Sequence, residues 1–336
     1  ICARQLADFN LVLQATFASD NVLLMPYQGE DGLGVELHLI DLADTQQRVM
    51  KGACWQFVSA TLTTSTKLEQ RFAYQQRTLG LSNARVLDVG SPFDYKARQL
   101  LYVTDVPLPT RPRGQFNRFK FSQDFAKAME GEYKALLDVS QGRALLLFSS
   151  YEQMNAVWNQ LGTLPYPARR HKEDGSDIEV VSWFKSTPNA VLFAVSLWEG
   201  IDVPGPALSL VVCDKLPLLP PDDPILEERS VLAAREYAAA RGLEFSRRLV
   251  MERGLQDVSL PLASIKFRQG AGRLLRSEMD RGIVAILDNR LLTDTRFSRV
   301  LDQLPGSPTP DRILRRPHLQ TARKWLDFKP KEAMSS

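Results

Sequence analysis

Short apolar runs of strand length, separated by helical patterns, constrain the fold of this chain more than any other feature. The runs lie at residues 144–148, 190–195, 208–213 and 283–287, and almost every residue in them is apolar. Uninterrupted apolar runs of about four to eight residues are typical of strands buried on both faces. Because helical patterns alternate with them, the sequence predicts an α/β fold with a mainly parallel sheet flanked by helices.

Weaker patterns outside these runs add three strand candidates and one long helix. The strand candidates are Gln56–Val58, Arg85–Val89 and Leu100–Val103. A helix is predicted over residues 122–138, with Ser122 as its N-cap.

Three groups of residues have the types and spacing of helix caps. They are Ser149 and Ser150 before an apolar helical pattern, Ser176 and Glu179 as a capping box, and Asp223, Pro224 and Gly242 as the start and end of a third helix. These local signals predict helices that begin after Ser150, Ser176 and Asp223.

Length and cysteine content limit the class of protein. A chain of 336 residues can form one or two domains, and no apolar run reaches membrane-spanning length. The chain begins ICARQLADFN, without an initiator Met or a signal-peptide pattern, which suggests a fragment of a longer protein. Cys2, Cys54 and Cys213 lack metal-ligand spacing, so we expect a reducing cytoplasm and no disulfide framework.

Positive charge is concentrated near the carboxyl terminus. The net charge is +3, and residues 307–336 contain seven basic against three acidic residues, which leaves the rest of the chain near −1. Two interpretations are open for this basic tail: a solvated segment, or a segment that contacts phosphate.

The segment QGAGRLLRS carries three large hydrogen-bond donors at regular spacing. Gln269, Arg273 and Arg276 are related as i, i+4 and i+7, which predicts one face of a helix. Ala271, Leu274 and Leu275 fall on the other side, where we expect burial. The donor face is either a solvated basic surface or a set of groups aimed at an anionic ligand.

Several motifs together resemble the DinG family of superfamily-two helicases, which is similar to XPD. QGAGRLLRS (269–277) resembles helicase motif VI, SLWEGIDVPG (196–205) motif V, ALLLFSSYEQM (144–154) motif IV and SATL (59–62) motif III. The spacers SPFDY (91–95) and DKLPLLPPDDP (214–224) also match this branch, and the resemblance runs in order over residues 45–305. Leu197, Leu218 and Val58 depart from the usual family residues, which leaves a divergent subgroup, such as the CRISPR-associated DinG-type helicase, open.

The resemblance implies an RecA-like second motor domain and a set of site residues. Arg273 and Arg276 would contact the γ-phosphate of ATP, because a permanently charged, planar guanidinium stabilises charge that develops in phosphoryl transfer. The other implied roles are nucleotide binding or coupling by Gln269, Glu199, Gly200 and Asp202, DNA binding by Ser149, Ser150, Tyr151, Ser196, Trp198 and Lys215, and coupling of ATP state to DNA by Ser59 and Thr61. For Trp198 a base contact and a place in the core are both open, and Ser149 and Ser150 could also act as caps.

The family also implies a domain division. Residues 1–75 would be the end of the first motor domain, including motif III, residues 76–306 the second RecA-like domain, and residues 307–336 the basic tail. The sequence contains neither G-x-x-x-x-G-K-[ST] nor D-E-x-H, so the Mg²⁺ ligands are expected outside this chain. Family members often carry an iron–sulfur cluster on four cysteines of the first motor domain. The three cysteines of this chain could not supply such a cluster.

The implied function is ATP-driven 5′→3′ translocation on single-stranded DNA, with unwinding of duplexes, DNA–RNA hybrids or R-loops, in a bacterial cytoplasm near the nucleoid. DNA repair and CRISPR interference are both open as pathways. Two alternatives from other classes are a non-enzymatic nucleic-acid-binding or partner-docking domain, and a translocase that does not separate strands. This chain alone is expected to be inactive, because it lacks the phosphate-binding loop.

Overall fold

The computed structural model describes residues 22–29, 32–64, 71–109, 118–195, 197–198, 203, 205, 207–304, 313–314 and 316–327. These residues divide into two compact units. The first contains residues 22–87 and 218–262, and the second contains residues 88–217 and 263–327.

The elements are named in chain order. They are β1 (Val22–Gly29), β2 (Gly32–Leu39), α1 (Ala43–Met50), α2 (Ala73–Thr78), α3 (Tyr95–Arg98), β3 (Gln99–Val103), α4 (Arg118–Ser140), β4 (Ala144–Leu147), α5 (Tyr151–Leu161), β5 (Ala168–Arg170), α6 (Asp177–Ser186), β6 (Val191–Ala194), β7 (Leu210–Cys213), α7 (Pro224–Arg241), α8 (Arg247–Arg253), a π-helical segment (Gly254–Ser259), α9 (Leu260–Ala271), β8 (Gly282–Ile286), α10 (Arg290–Thr293), α11 (Thr295–Asp302), β9 (Ile313–Leu314), a 3₁₀ turn (Arg316–His318) and α12 (Leu319–Asp327).

The first unit combines an antiparallel hairpin with helices. Strands β1 and β2 pair from Val22–Leu39 to Gly29–Gly32. The start of α7 matches the sequence prediction, because the Asp223 carboxylate accepts hydrogen bonds from two backbone N–H groups and Pro224 is the first helical residue. The helix ends at Gly242, whose φ of 62° lies in the left-handed region that glycine adopts without strain.

The second unit is built on a seven-stranded sheet. Its strand order is β5-β6-β4-β7-β8-β3-β9, and each pair is parallel. Every residue of β4, β6, β7 and β8 is buried. The apolar runs therefore form strands covered on both faces, and the predicted α/β class with a mainly parallel sheet is confirmed.

The position of β4 decides where polar residues meet. It lies between β6 and β7, with Leu147 opposite Ala194 on one side and Cys213 on the other. Because the strands are parallel, the residues that follow β4 and β7 emerge at the same edge of the sheet. Ser149 and Lys215 are thereby neighbours in space, although the sequence separates them by 66 positions.

Three sequence predictions for single elements are wrong. Gln56–Val58 and Arg85–Val89 are not strands, since neither segment pairs with a strand among the described residues. Their apolar side chains are largely exposed. The long helix begins at Arg118 rather than after Ser122, which is buried inside it. A polar residue near a helix start is thus not sufficient evidence for a cap.

Part of the predicted basic tail belongs to the fold. Strand β9 extends the sheet beside β3, and α12 buries Leu319, Ala322 and Leu326 in the core. Arg316 forms an ion pair of 3.1 Å with the buried Glu132 carboxylate. The basic residues in this stretch therefore accompany an amphipathic helix with a buried apolar face.

The predicted helical face of the motif VI segment is also wrong. Helix α9 ends at Ala271, so Arg273 and Arg276 lie beyond it in a turn. The N–H groups of Arg276 and Ser277 donate to the Asp280 carboxylate, each at 2.8 Å, instead of to helical carbonyls. Ala271, Leu274 and Leu275 are buried as predicted, but only Ala271 belongs to the helix, whereas Leu274 and Leu275 are directed inward by the turn.

Candidate functional site

Ser150 caps the helix that follows β4. Its backbone is extended, and its hydroxyl oxygen accepts a hydrogen bond of 3.2 Å from the Gln153 N–H. A serine hydroxyl that accepts in this way can still donate its own hydrogen. The half-buried Ser150 therefore combines a capping role with the chemistry needed to contact a phosphate at a helix N-terminus.

Ser149 points to a different partner. Its hydroxyl donates to Oδ2 of Asp214 at 2.9 Å, and Oδ1 of Asp214 accepts from the Lys215 N–H at 2.8 Å. A serine has one hydroxyl hydrogen, and here it is given to a carboxylate. The sequence prediction of Ser149 as a phosphate-binding residue does not agree with this arrangement, in which Ser149 joins the ends of β4 and β7.

Asp214 is fully buried at the centre of this arrangement. Burial raises the pKa of its carboxyl group, while the Lys215 ammonium and the hydrogen bonds from Ser149 and Lys215 act in the opposite direction. Burial raises the pKa of the neighbouring Tyr133 hydroxyl, and the Asp214 carboxyl group raises it further. Asp214 therefore joins the ends of β4 and β7 through its hydrogen bonds, while burial of its carboxyl group has an electrostatic cost.

Lys215 is held in place on several sides. Its ammonium donates to Oε1 of Gln153 at 3.2 Å and lies 3.8 Å from Oδ2 of Asp214. It also lies 5.2 Å and 5.7 Å from the ring centres of Phe121 and Phe125. With 17% of its side chain exposed, the ammonium is held between Gln153 and Asp214.

Tyr151 is directed inward. Its hydroxyl is buried and has no hydrogen-bond partner among the described residues. Its ring stacks on His171 at 6.4 Å between centres, and the His171 ring is held by Asp177 at 2.6 Å. In this conformation the tyrosine hydroxyl is not accessible to a phosphate, contrary to the sequence prediction.

Trp198 is a core residue in the structure. Only 2% of it is exposed, and its indole N–H donates to the Phe148 carbonyl at 3.3 Å. The ring packs so closely against Gly270 that a Cβ there would lie 2.9 Å from Cε3 of the indole. The alternative in which Trp198 stacks on a nucleic-acid base does not agree with this burial.

Two different features position the predicted catalytic arginines. Arg273 is half-buried, and its Nε donates to the backbone carbonyl of Trp198 at 3.0 Å. Arg276 is exposed, and its backbone is fixed by Asp280, which also accepts hydrogen bonds from the Ser277 hydroxyl at 2.9 Å and the Gly205 N–H at 3.1 Å. Gln269 is half-buried in the last turn of α9.

Of the other predicted site residues, the structure describes only Ser59 and Thr61. Ser196, Glu199, Gly200 and Asp202 lie outside the described residues. Ser59 and Thr61 belong to the first unit and form a local turn, in which the Thr61 N–H donates to the Ser59 hydroxyl at 3.2 Å. Their predicted coupling role stays a prediction.

A metal centre is not evident in the described part of the chain, which contains no group of three His, Cys, Asp or Glu residues able to hold an ion. Cys54 is exposed and Cys213 is buried, and both are free thiols. Helices long and apolar enough to span a membrane are absent from the same residues.

Sequence reasoning missed three residues that organise the site: Gln153, Asp214 and Asp280. Asp214 follows a buried apolar strand directly, and that position was a usable signal because strand ends in parallel sheets carry functional groups. Gln153 had no comparable signal, since its role depends on the distant Lys215. Asp280 also had no local signal, since its role depends on contacts with Arg276 and the distant Gly205.

The known proteins similar to this chain are described as helicases. The family described as Helicase C-terminal domain matches residues 133–307. The chain is 32% identical over 274 residues to the ATP-dependent DNA helicase YoaA of Escherichia coli, a match that covers 80% of this chain and 38% of that protein. It is 35% identical over 211 residues to the ATP-dependent helicase DinG of Mycobacterium tuberculosis, covering 62% of this chain and 28% of the relative. The chain thus spans well under half the length of these relatives.

A solved XPD helicase structure has a similar fold. The TM-score is 0.56 at 17% sequence identity, and the alignment covers 87% of this chain and 47% of the other. At this identity the likeness shows the fold alone, an α/β, RecA-like arrangement around the parallel sheet.

Proposed function

The chain belongs to the helicase C-terminal domain family, in its DinG-type, XPD-like branch, and from this we propose that it supplies the second motor domain of an ATP-dependent DNA helicase. The observation that carries the proposal is the position of Arg273 and Arg276. Both lie within the matched region, just beyond α9. Nε of Arg273 donates to the Trp198 carbonyl, and the Arg276 N–H donates to the Asp280 carboxylate.

On the nucleotide side, the arginines would act on phosphate charge. An arginine presented by a second domain stabilises the charge that develops on the γ-phosphate during hydrolysis. Arg276 is exposed and suits this contact, while Arg273 is anchored through Nε and suits ground-state binding. Gln269, Glu199, Gly200 and Asp202 would complete the nucleotide contacts, and a first motor domain would provide the phosphate-binding loop and the acidic residues for Mg²⁺.

On the nucleic-acid side, Ser150 and Lys215 would contact one strand through its phosphates, with Ser196 as a further candidate. A hydroxyl at the N-terminus of α5 and a fixed ammonium are groups that bind phosphate without reading a base. Ser59 and Thr61 would couple this contact to the state of ATP. The proposed track is single-stranded DNA, the proposed substrates to be opened are duplexes, DNA–RNA hybrids or R-loops, and 5′→3′ is the proposed direction.

We assign no metal or iron–sulfur site to the described residues of this chain. The described residues lack a suitable group of metal ligands, and the two described thiols are far apart in the sequence, at Cys54 and Cys213. Bound Mg²⁺ would neutralise phosphate charge, with ligands from the first motor domain. The residues of this chain would bind and orient the nucleotide and the strand.

Strand displacement by the product of the complete gene tests the proposal. The substrates are duplexes with a 5′ tail, a 3′ tail or no tail, and an RNA–DNA hybrid with a 5′ tail. We expect ATP-dependent unwinding that requires a 5′ tail, and its loss in Arg276→Ala. DNA binding without ATP hydrolysis would favour the non-enzymatic alternative, while DNA-stimulated hydrolysis without displacement on any substrate would favour a translocase.

A further inference from the structure

The indole of Trp198 fixes the carboxyl end of β4. Its N–H donates to the Phe148 carbonyl, and the Phe148 N–H donates to the Ala194 carbonyl at 2.8 Å. Phe148 is therefore held from both sides just before Ser149 and Ser150. A displacement of the indole would move the backbone that carries the proposed phosphate contact.

The opposite side of the indole packs against α9. A Cβ built on Gly270 would lie 2.9 Å from Cε3 of the ring and 2.8 Å from Cδ1 of Leu147, distances too short for a side chain. The Lys266 ammonium lies 5.4 Å from the ring centre on the same helix. The helix that leads to the arginines therefore touches the indole directly, without an intervening side chain at Gly270.

The backbone of Trp198 provides the third connection. Its carbonyl accepts the hydrogen bond from Nε of Arg273 at 3.0 Å. One residue thus contacts the phosphate-side arginine, helix α9 and the end of β4. Closely packed interiors transmit a displacement along such contacts instead of absorbing it.

We infer that Trp198 is a positioning residue that couples Arg273 on the nucleotide side to Ser150 on the nucleic-acid side, an inference that rests on the proposed function. A nucleotide that draws Arg273 towards its phosphate changes the hydrogen bond to the Trp198 carbonyl. The indole moves with its backbone and carries the Phe148 carbonyl, and with it the Ser150 hydroxyl. This role requires both the volume of the indole and its N–H.

The test measures the coupling between the two ligands in the product of the complete gene. The dissociation constant for a fluorescent oligothymidylate is determined with and without a non-hydrolysable ATP analogue, and the ratio of the two values is the coupling factor. Coupling factors of about 5 to 150 are typical of linked sites. Trp198→3-benzothienylalanine keeps the ring volume and removes only the N–H, whereas Trp198→Phe removes both.

A matched control is Trp183→Phe in α6. Trp183 belongs to α6, and its ring packs against the Arg169 guanidinium, 4.9 Å from the ring centre. We expect its coupling factor to equal that of the parent. In the benzothienylalanine variant we expect the factor to fall to within about twofold of one, while the affinity for DNA without nucleotide stays close to the parent value. Trp198→Phe also opens a cavity, so it should lose the coupling together with part of the DNA affinity.

Two results would overturn the inference. A parent-like coupling factor in the benzothienylalanine variant would show that the N–H is not needed. Equal loss of DNA affinity with and without nucleotide, which leaves the factor unchanged, would show that Trp198 supports DNA binding but does not couple it to the nucleotide. If the unsubstituted protein shows neither coupling nor DNA-stimulated ATP hydrolysis, the proposed function fails, and this inference fails with it.

Discussion

Ser149 donates its hydroxyl hydrogen to the buried carboxylate of Asp214 at 2.9 Å, across the carboxyl ends of two adjacent parallel strands. Ser150, one residue farther on, uses its hydroxyl oxygen to cap α5. Two neighbouring serines of the same motif therefore have different partners, and their chemical roles can be separated by mutation.

Ser149→Ala and Ser150→Ala are expected to differ in their effect on DNA binding. Ser150→Ala should weaken binding of single-stranded DNA, because it removes the proposed donor to a phosphate, and it should also cost about 1 kcal/mol of stability through loss of the α5 cap. Ser149→Ala should leave that affinity close to the parent value but lower the free energy of unfolding by about 1–3 kcal/mol, since a buried carboxylate oxygen loses its donor. Fluorescence anisotropy measures DNA binding and urea unfolding measures stability, and Ser149→Ala is the control for the DNA-binding effect of Ser150→Ala. Loss of DNA binding in Ser149→Ala would contradict the separation.

Removal of the Lys215 charge should change the salt dependence of DNA binding. Each phosphate contact on a single strand contributes about −0.7 to the slope of log K against log salt. We expect Lys215→Ala to make the slope shallower by about that amount. Gln153→Met, which keeps the charge but removes its hydrogen-bond acceptor, should lower affinity with an unchanged slope. An identical slope for Lys215→Ala and the parent would exclude a phosphate contact by Lys215.

Replacement of Asp214 should change how stability depends on pH. Because burial raises its pKa, the folded protein holds the Asp214 proton more tightly than the unfolded chain does. As pH rises from the ordinary aspartate range through the raised pKa, the unfolded chain releases its proton first, and this group therefore lowers the free energy of unfolding.

Asp214→Asn removes that titration. Across the same pH window we expect the stability of the variant, relative to the parent, to increase with pH in urea unfolding measurements. A relative stability of the variant that falls with pH instead would show that ionised Asp214 stabilises the fold.

The arginine pair is expected to control ATP turnover in the product of the complete gene. Arg276→Ala should keep the fold and DNA binding, because Arg276 is exposed, but lower the rate of hydrolysis by about 10³ to 10⁵. Arg276→Lys should restore little of the rate of ATP hydrolysis, since an ammonium lacks the planar, forked donor geometry of a guanidinium. The losses in Arg273→Ala and Arg276→Ala should not add in the double variant, because both act on the same phosphate. A rate for Arg276→Ala within a few-fold of the parent would mean that this side chain is only a solvated surface charge.

The 336-residue chain by itself is expected to fold without hydrolysing ATP, with or without DNA, because its sequence contains no G-x-x-x-x-G-K-[ST] loop. It should bind single-stranded DNA weakly. Phosphate release measured on the purified chain checks the first point. Robust DNA-stimulated hydrolysis would show that the assignment of the motor halves is wrong.

The sequence by itself determined the local features of this protein. The apolar runs formed buried parallel strands because short, uninterrupted apolar runs suit strands that helices cover on both faces of a sheet. The caps at Ser150, Ser176 and Asp223 formed as predicted because they depend on hydrogen bonds to residues two or three positions away.

Tertiary structure alone decided the contacts that define the candidate site. The order β6-β4-β7 places Asp214 beside Ser149, and no local pattern in either segment specifies that neighbour. Helical spacing continued past Ala271 in the sequence, yet the Asp280 carboxylate, which also binds the Gly205 N–H, holds the backbone of Arg276 in a turn. Trp198 is buried because α9 presents a glycine to its ring. Periodicity describes one element at a time, whereas hydrogen bonds and packing between distant elements select one arrangement among those that the local sequence allows.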